Sequence, residues 1–251
     1  MSRIVQIIAG LALAFCLLAQ ESLLHAGENA AFTYLWGGFA TSLTARSAQQ
    51  RHNSIIAARD LDGLVIPPGG VFSFNERIGA RERGKGYAAA PHIDAQGLLQ
   101  DTPGGGICQL ASTIYNAGLQ AGMTVLERHP HSRAVGHVPP GRDATISSWR
   151  KDLKLGNPFP HPLQLRVGIS RDRLSASFNA PVAQPFRTEI ITTRSQLPAE
   201  TIVRSAAQTN RQAGAPGYRV TARRIMHDTA GAREELLSED TYPAPSRIIG
   251  Q

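Results

Sequence analysis

Pro103-Gly104-Gly105-Gly106-Ile107-Cys108-Gln109-Leu110-Ala111-Ser112-Thr113 is the stretch on which the reading of this chain turns. Three glycines run into a cysteine. Ile107, Leu110, Ala111, Ile114, Tyr115, Leu119 and Ala121 then recur at three- and four-residue steps, the period of a buried helix face. Gly118 weakens that helix and Gly122 ends it. Cys108 is thereby placed in the first turn of a helix leaving a glycine loop, where unpaired N–H groups and the dipole favour negative charge by about 0.3–2 kcal/mol. An ordinary thiol, of pKa about 8.5, is only a few per cent ionised at neutral pH, and a depression of about 1.5 units makes it about half thiolate. Backbone N–H groups around Gly106, Cys108 and Gln109 would hold an oxyanion beside the sulfur. Glycine at 104, 105 and 106 would let a substrate carbonyl approach the backbone. The competing reading is a packed, inert cysteine.

Outside this stretch, the chain of 251 residues is 42% hydrophobic and 18% charged, a globular composition. Met1-Ser2-Arg3 precedes an uncharged, mostly apolar run from Ile4 to Leu18, about 15 residues, the form of a signal peptide rather than a membrane span. Ala26 is a tolerable last residue before cleavage. The expected organisation is a signal peptide over 1–26, a main domain over 27–181 and a β-rich appendage over 182–251. The mature protein is then extracytoplasmic, in the periplasm or cell wall, with no stable membrane anchor. Cys16 leaves with the signal, so Cys108 is the single thiol of an exported chain, and an unpaired cysteine in an oxidising compartment points to a reactive or intermolecular role. The net charge of +7 suits anionic surroundings such as wall polymers. No aromatic-basic interleaving or zinc-finger spacing indicates nucleic acid.

Along the chain, Phe32–Phe39 reads as a short strand or turn and Thr41–Arg51 as a loop. His52 or Asn53 caps a helix over Ser54–Leu61. Val71–Asn75 alternates as a strand, with Phe72 and Phe74 on one face. Residues 76–86 carry Arg77, Arg81, Arg83 and Lys85 and read as a solvated connection in preference to a lid or carboxylate-binding loop. A hairpin is expected around Gln96-Gly97, and another joins Leu163–Ile169 to Leu174–Phe178. Thr188–Thr193 and Tyr218–Ile225 are β-like. The fold class is α+β, a β-rich core with two or three helices and the cysteine at a helix N-terminus.

A thiol nucleophile needs a base within reach and a group that orients the base. His129, His131 and His137 follow the cysteine helix. His131 is the chosen base because Pro130 ends the preceding strand and projects the next residue from its edge. Asp143 is the candidate orienter, a turn carboxylate being the alternative. Zinc on the three histidines is set aside, since Pro130 breaks the strand and no second ligand cluster exists; neither metal nor cofactor is expected. Asn75 and Tyr87 are candidate substrate contacts, with core strand positions as the alternative.

Taken together these residues resemble the VanW family, named for a gene of some vancomycin-resistance clusters. The matching residues run from Phe39-Ala40-Thr41-Ser42 through Asn53, Phe72-Ser73-Phe74-Asn75, Gly86-Tyr87 and Gly104-Gly105-Gly106-Ile107-Cys108-Gln109. They continue through Glu127-Arg128, His131-Ser132, Val138-Pro139 and Asp143-Ala144 to Asp152-Leu153 and Asn157, covering about 120 residues. Where the family commonly has a tyrosine two residues before the proline, this chain has His137. Asp240-Thr241-Tyr242-Pro243 is similar to a G5-type module. The resemblance implies L,D-transpeptidase-like crosslinking of peptidoglycan stem peptides through a Cys108 thioester. The competing functions are a cysteine hydrolase that trims stem peptides and a non-catalytic peptidoglycan- or glycopeptide-binding module.

Overall fold

Ser47 is the first residue whose structural work the sequence reading missed. Its hydroxyl accepts from the Gln50 N–H while the Gln50 side chain accepts from the Ser47 N–H, a reciprocal cap that starts helix α1 at Ala48 and carries it to Leu61. The helix therefore begins six residues before the expected Ser54, and Asn53 lies inside it rather than at its cap. The computed structural model describes residues 32–93, 99–148, 150–199, 201–204, 216–244 and 247–250. The expected signal peptide and cleavage site lie outside them, as does the tip of the Gln96-Gly97 hairpin. No helix among the described residues is long and apolar enough to cross a membrane.

The fold is α+β, rich in strands, with three α-helices among the described residues. Strands β1 (Tyr34–Ser42), β2 (Val65–Ile66), β8 (Leu163–Ser170) and β9 (Arg173–Ala180) form an antiparallel sheet in the order β1-β9-β8-β2. The expected β8–β9 hairpin is present, turning through Arg171 at a φ of 52°. A second antiparallel sheet sets β3 (Val71–Ser73) beside β7 (Lys154–Gly156) and β6 (Thr124–Glu127). Val71–Asn75 is not one strand: the Ser73 hydroxyl accepts from the Glu76 N–H and opens a short helix, α2 (Phe74–Ile78). Phe72 and Phe74 nevertheless both reach the core and meet edge to face, 6.4 Å between ring centroids.

Helix α3 (Ile107–Gln120) runs through the middle of this assembly. Every residue from Gln109 to Leu119 is buried, as expected of a helix packed on all sides. It lies on β1 at Gly37, where an added Cβ would stand 2.3 Å from the Ala117 carbonyl oxygen. The hairpin β4 (Ala89–Ile93) and β5 (Leu99–Pro103) leads into the glycine loop. Beyond β9, strands β10 (Arg187–Leu197), β12 (Gly217–Asp228) and β13 (Gly231–Tyr242) form a third antiparallel sheet, while β11 (Thr201–Arg204) pairs in parallel with β14 (Arg247–Gly250). The third sheet bears on α3: buried Arg224 of β12 donates to the carbonyls of Leu119 and Met123 at the helix C-terminal end.

Candidate functional site

The glycine loop fixes where Cys108 sits, though not for the expected reason. An added Cβ at Gly105 would meet the Ala90 carbonyl oxygen at 2.1 Å, at Gly104 the Arg81 side chain at 2.9 Å, and at Gly106 the Gln50 side chain at 2.8 Å. Gly104 and Gly106 also have φ of 84° and 98°, a region that favours glycine. The missing side chains make room for the protein's own neighbours rather than for a substrate carbonyl. Asn53, fully buried, ties the loop down by donating to the carbonyls of Ala88 and Gly105 and accepting from the Ala88 N–H.

Cys108 is the second residue of α3 and is half-buried. Its Sγ lies 3.6 Å from the Ile146 carbonyl oxygen, the acceptor open to the thiol while it is protonated. Burial alone would push the thiol up. A hydrogen bond and the positive charge of His131, with the Arg81 guanidinium behind them, outweigh burial and bring it below its ordinary range. The backbone groups divide: the Gln109 N–H is spent on the Gly106 carbonyl, whereas the Cys108 N–H has no partner among the described residues. Gln109 therefore drops out of the expected oxyanion donors.

His131 and Asp143 come together across two loop segments linked by the Thr145 N–H to the His129 carbonyl, 2.7 Å. His131 Nδ1 is 2.6 Å from Asp143 Oδ2, which also accepts the His131 N–H at 2.7 Å. Nδ1 therefore carries the proton toward the carboxylate, leaving Nε2 for the sulfur. Burial would lower the imidazolium, but its bonds to Asp143 and Cys108 raise it to about 9. Asp143 has no exposed surface, which by itself would raise its carboxyl, yet His131 and Arg128 hold it down at about 2. Arg128 donates to Asp143 Oδ1 at 2.9 Å and to the Asp143 carbonyl, and pairs with Asp240 at 2.5 Å. The Tyr242 hydroxyl donates to the same Oδ1 at 2.5 Å and accepts from the Gly141 N–H.

The other two histidines are occupied elsewhere. His129 pairs with Glu127 at 3.0 Å. His137 accepts from Arg46 on Nδ1 at 3.0 Å and faces the Ser112 hydroxyl at 3.2 Å through Nε2. Burial, with the charges of Arg46 and His131, lowers it to about 3, so its ring is neutral. No group of three or more candidate ligands for a metal occurs among the described residues.

Cys108 stands where two lobes of a cleft meet. One, of about 260 Å³, is lined by Arg46, His92, His131, Arg133 and His137 among others. The second, of about 210 Å³, is lined by Arg81, His92, Thr102, Ile146 and Ser148 among others. Asn75 and Tyr87 line neither. The Asn75 amide donates to the carbonyls of Ser147 and Lys151 and accepts from Arg81, so it positions Arg81. Tyr87 is a core residue, 2% exposed. Gln109 borders the first lobe, but its amide is taken up by Thr41, Ser42 and Arg46. Sequence reading quoted Arg128, Asp240 and Tyr242 only as residues of a resemblance and gave neither them nor Arg46 a role in the site, because Arg46, Asp240 and Tyr242 meet their partners far away along the chain. Arg81 was visible only as one cation of a basic loop.

The sequence profile of the family described as VanW like protein matches residues 49–179. "Uncharacterized protein YoaR" of Bacillus subtilis (strain 168) is 40% identical over 131 residues, 52% of this chain and 43% of that one. "Vancomycin B-type resistance protein VanW" of Enterococcus faecalis is 30% identical over 129 residues, 49% of this chain and 46% of that one. The chain thus aligns with less than half the length of these curated relatives. A solved structure described as "Crystal structure of HP0197-G5" is matched over 26% of this chain and 95% of its own, at 19% identity and a TM-score of 0.16, too low to assign a fold. The match to the family covers more than half of the chain, and the chain belongs to the VanW-like family.

Proposed function

We propose that this VanW-family chain is an exported cysteine acyltransferase of the cell wall, which crosslinks peptidoglycan stem peptides in the manner of an L,D-transpeptidase. The observation that carries the reading is the continuous line from Cys108 through His131 to Asp143, with thiol and imidazole displaced toward the ion pair. The Cys108 thiolate attacks a peptide carbonyl, and the oxyanion is received by the Cys108 N–H at the helix start. The C–N bond breaks as His131 Nε2 gives its proton to the departing amine, leaving a thioester on Sγ. An amine of a second stem peptide then attacks, loses its proton to His131, and releases the thiolate with a new amide bond. Asp143 holds the imidazole in one tautomer throughout.

The residues 27–181 and 182–251 are proposed as the main domain and its appendage, and residues 1–26 as the export signal. The test is product analysis with purified muropeptides. Crosslinked dimers formed by the wild type and lost in Cys108→Ala support acyl transfer. Trimmed monomers would instead make the protein a hydrolase with the same residues. Absence of either product, together with muropeptide binding that survives Cys108→Ser, would reduce it to a binding module.

A further inference from the structure

The two lobes beside Cys108 carry guanidinium groups, and no Asp or Glu lines either lobe among the described residues. Arg46 has no acidic partner among the described residues. Its Nε donates to Gln109 Oε1 at 2.5 Å and its Nη2 to neutral His137 at 3.0 Å. Gln109 is itself pinned by bonds to Thr41 and Ser42 at 2.9 and 2.8 Å. Two of the five N–H groups of Arg46 are thus used to fix the plane of the fork. The rest remain for the cleft it lines, and such a fork matches a carboxylate in geometry and charge. Arg81 is held in the same way by neutral Asn75 and Ser148, at 2.9 and 3.1 Å.

The lobes are not equivalent. A departing amine receives its proton from the imidazole, so the leaving group must occupy the lobe that His131 lines. That is the lobe of Arg46 and Arg133, of which Arg46 is the one whose fork is fixed by hydrogen bonds among the described residues, and Arg81 lies in the other. At about 260 Å³ it falls below the roughly 300–1,000 Å³ of pockets for larger ligands and has room for a short segment.

We propose that Arg46, oriented by Gln109 and His137, binds the free C-terminal α-carboxylate of the residue expelled from the acyl donor, so that the site acts only at the last peptide bond of a chain. This rests on the acyl-transfer reading of Cys108 and adds to it the residue that recognises the donor's free carboxylate, one residue beyond the attacked carbonyl. Any acceptor amine must enter this same lobe after the expelled residue leaves.

The experiment compares two donors with the purified protein, a stem tetrapeptide with a free C-terminal carboxylate and the same peptide as its carboxamide. The wild type is expected to favour the acid at least tenfold in kcat/KM. Arg46→Gln should lose that preference by slowing the acid alone, while Arg46→Lys retains part of it. Equal use of acid and amide by the wild type, or an equal loss of both in Arg46→Gln, overturns the proposal. A second measurement stands apart from turnover: the ratio of Cys108 alkylation rates by iodoacetate and iodoacetamide, in which the thiolate fraction cancels. A ratio that falls severalfold in Arg46→Gln, with protection of the wild type by D-alanine but not D-alaninamide, supports the carboxylate subsite even where no peptide turns over, a result that would count against acyl transfer alone. An unchanged ratio with no selective protection overturns the subsite whatever the turnover shows.

Discussion

His131 keeps its proton well above the pH at which a free imidazole loses it, because, against the cost of burial, an ionised Asp143 stands on one side and the Cys108 thiolate on the other. Cys108 gives up its proton correspondingly early. Alkylation of Cys108 by iodoacetamide should therefore proceed at neutral pH faster than for a free thiol, and His131→Ala should raise the apparent thiol pKa by more than about one unit. An unchanged profile in that variant would break the pair. The same groups set the pH range of stability. His131 is raised from 6.5 to about 9, so its contribution is complete below about 6.5 and fades as pH rises through about 9. Asp143 is lowered from 3.8 to about 2, so its contribution is complete above about 4 and is lost as pH falls toward about 2. Cys108, whose thiol is lowered, contributes in the opposite sense as pH rises and offsets much of the alkaline loss, so melting temperature should fall clearly only at the acid limb, and that fall should shrink in Asp143→Asn. Asp143→Asn should cost activity by a factor on the order of 10³–10⁴, as expected when an imidazole is turned to the wrong tautomer.

At the scale of elements, α3 and its glycine loop decide the geometry of the thiol. Gly105→Ala would drive a Cβ into the backbone of β4, where no flexible side chain can give way. A loss of about 1–3 kcal/mol or more is expected, read as a lower melting temperature of the purified variant. The placement of Cys108 in the first turn was legible in the sequence because a three- and four-residue apolar period names a helix and three glycines name its entry. The pairing of His131 with Asp143 was legible as chemistry, though its distances depend on two loops brought together by one backbone bond. Other features were hidden for physical reasons. Ser47 and Gln50 form a cap whose signature lies in a polar stretch that reads as loop. Ser73 turns Phe74 from a strand position into a helix while leaving it in the core, so the alternation of Phe72 and Phe74 named the burial correctly and the element wrongly. The glycines were noticed for their freedom of approach, whereas their constraint comes from Ala90, Arg81 and Gln50.

Across the whole molecule, the candidate site is completed from outside the stretch that matches the family. Tyr242 and Asp240 of β13 reach Asp143 and Arg128, and Arg224 of β12 closes the far end of α3. No local pattern in the sequence announces this, since about a hundred residues separate Asp143 from Tyr242. Tyr242→Phe would leave the Gly141 N–H without its acceptor and Asp143 with one donor fewer. A destabilisation of about 1–3 kcal/mol is expected, together with an acid limb of the activity profile shifted upward as the Asp143 carboxylate loses support. A chain ended at residue 181 should retain little of the proposed acyl transfer, because Arg128 and Asp143 would lose partners that bury and balance them. Full activity in that shortened chain would show that the C-terminal strands serve another purpose.

The contact between Gly37 and the backbone of α3 has a consequence away from the cleft. With Ala117 and Ala121 lying directly on β1, the helix has no slack, and any side chain at position 37 must push it outward. The thiol rides on the same rigid rod, about 13 Å further along at 1.5 Å per residue. A bulkier residue at 37 would act as a lever, moving the sulfur on its helix relative to the imidazole on its loop without altering any residue that lines the cleft. If the proposed activity holds, a screen for folded variants that have lost it should return Gly37, with Cys108, His131 and Asp143 all unsubstituted but no longer aligned.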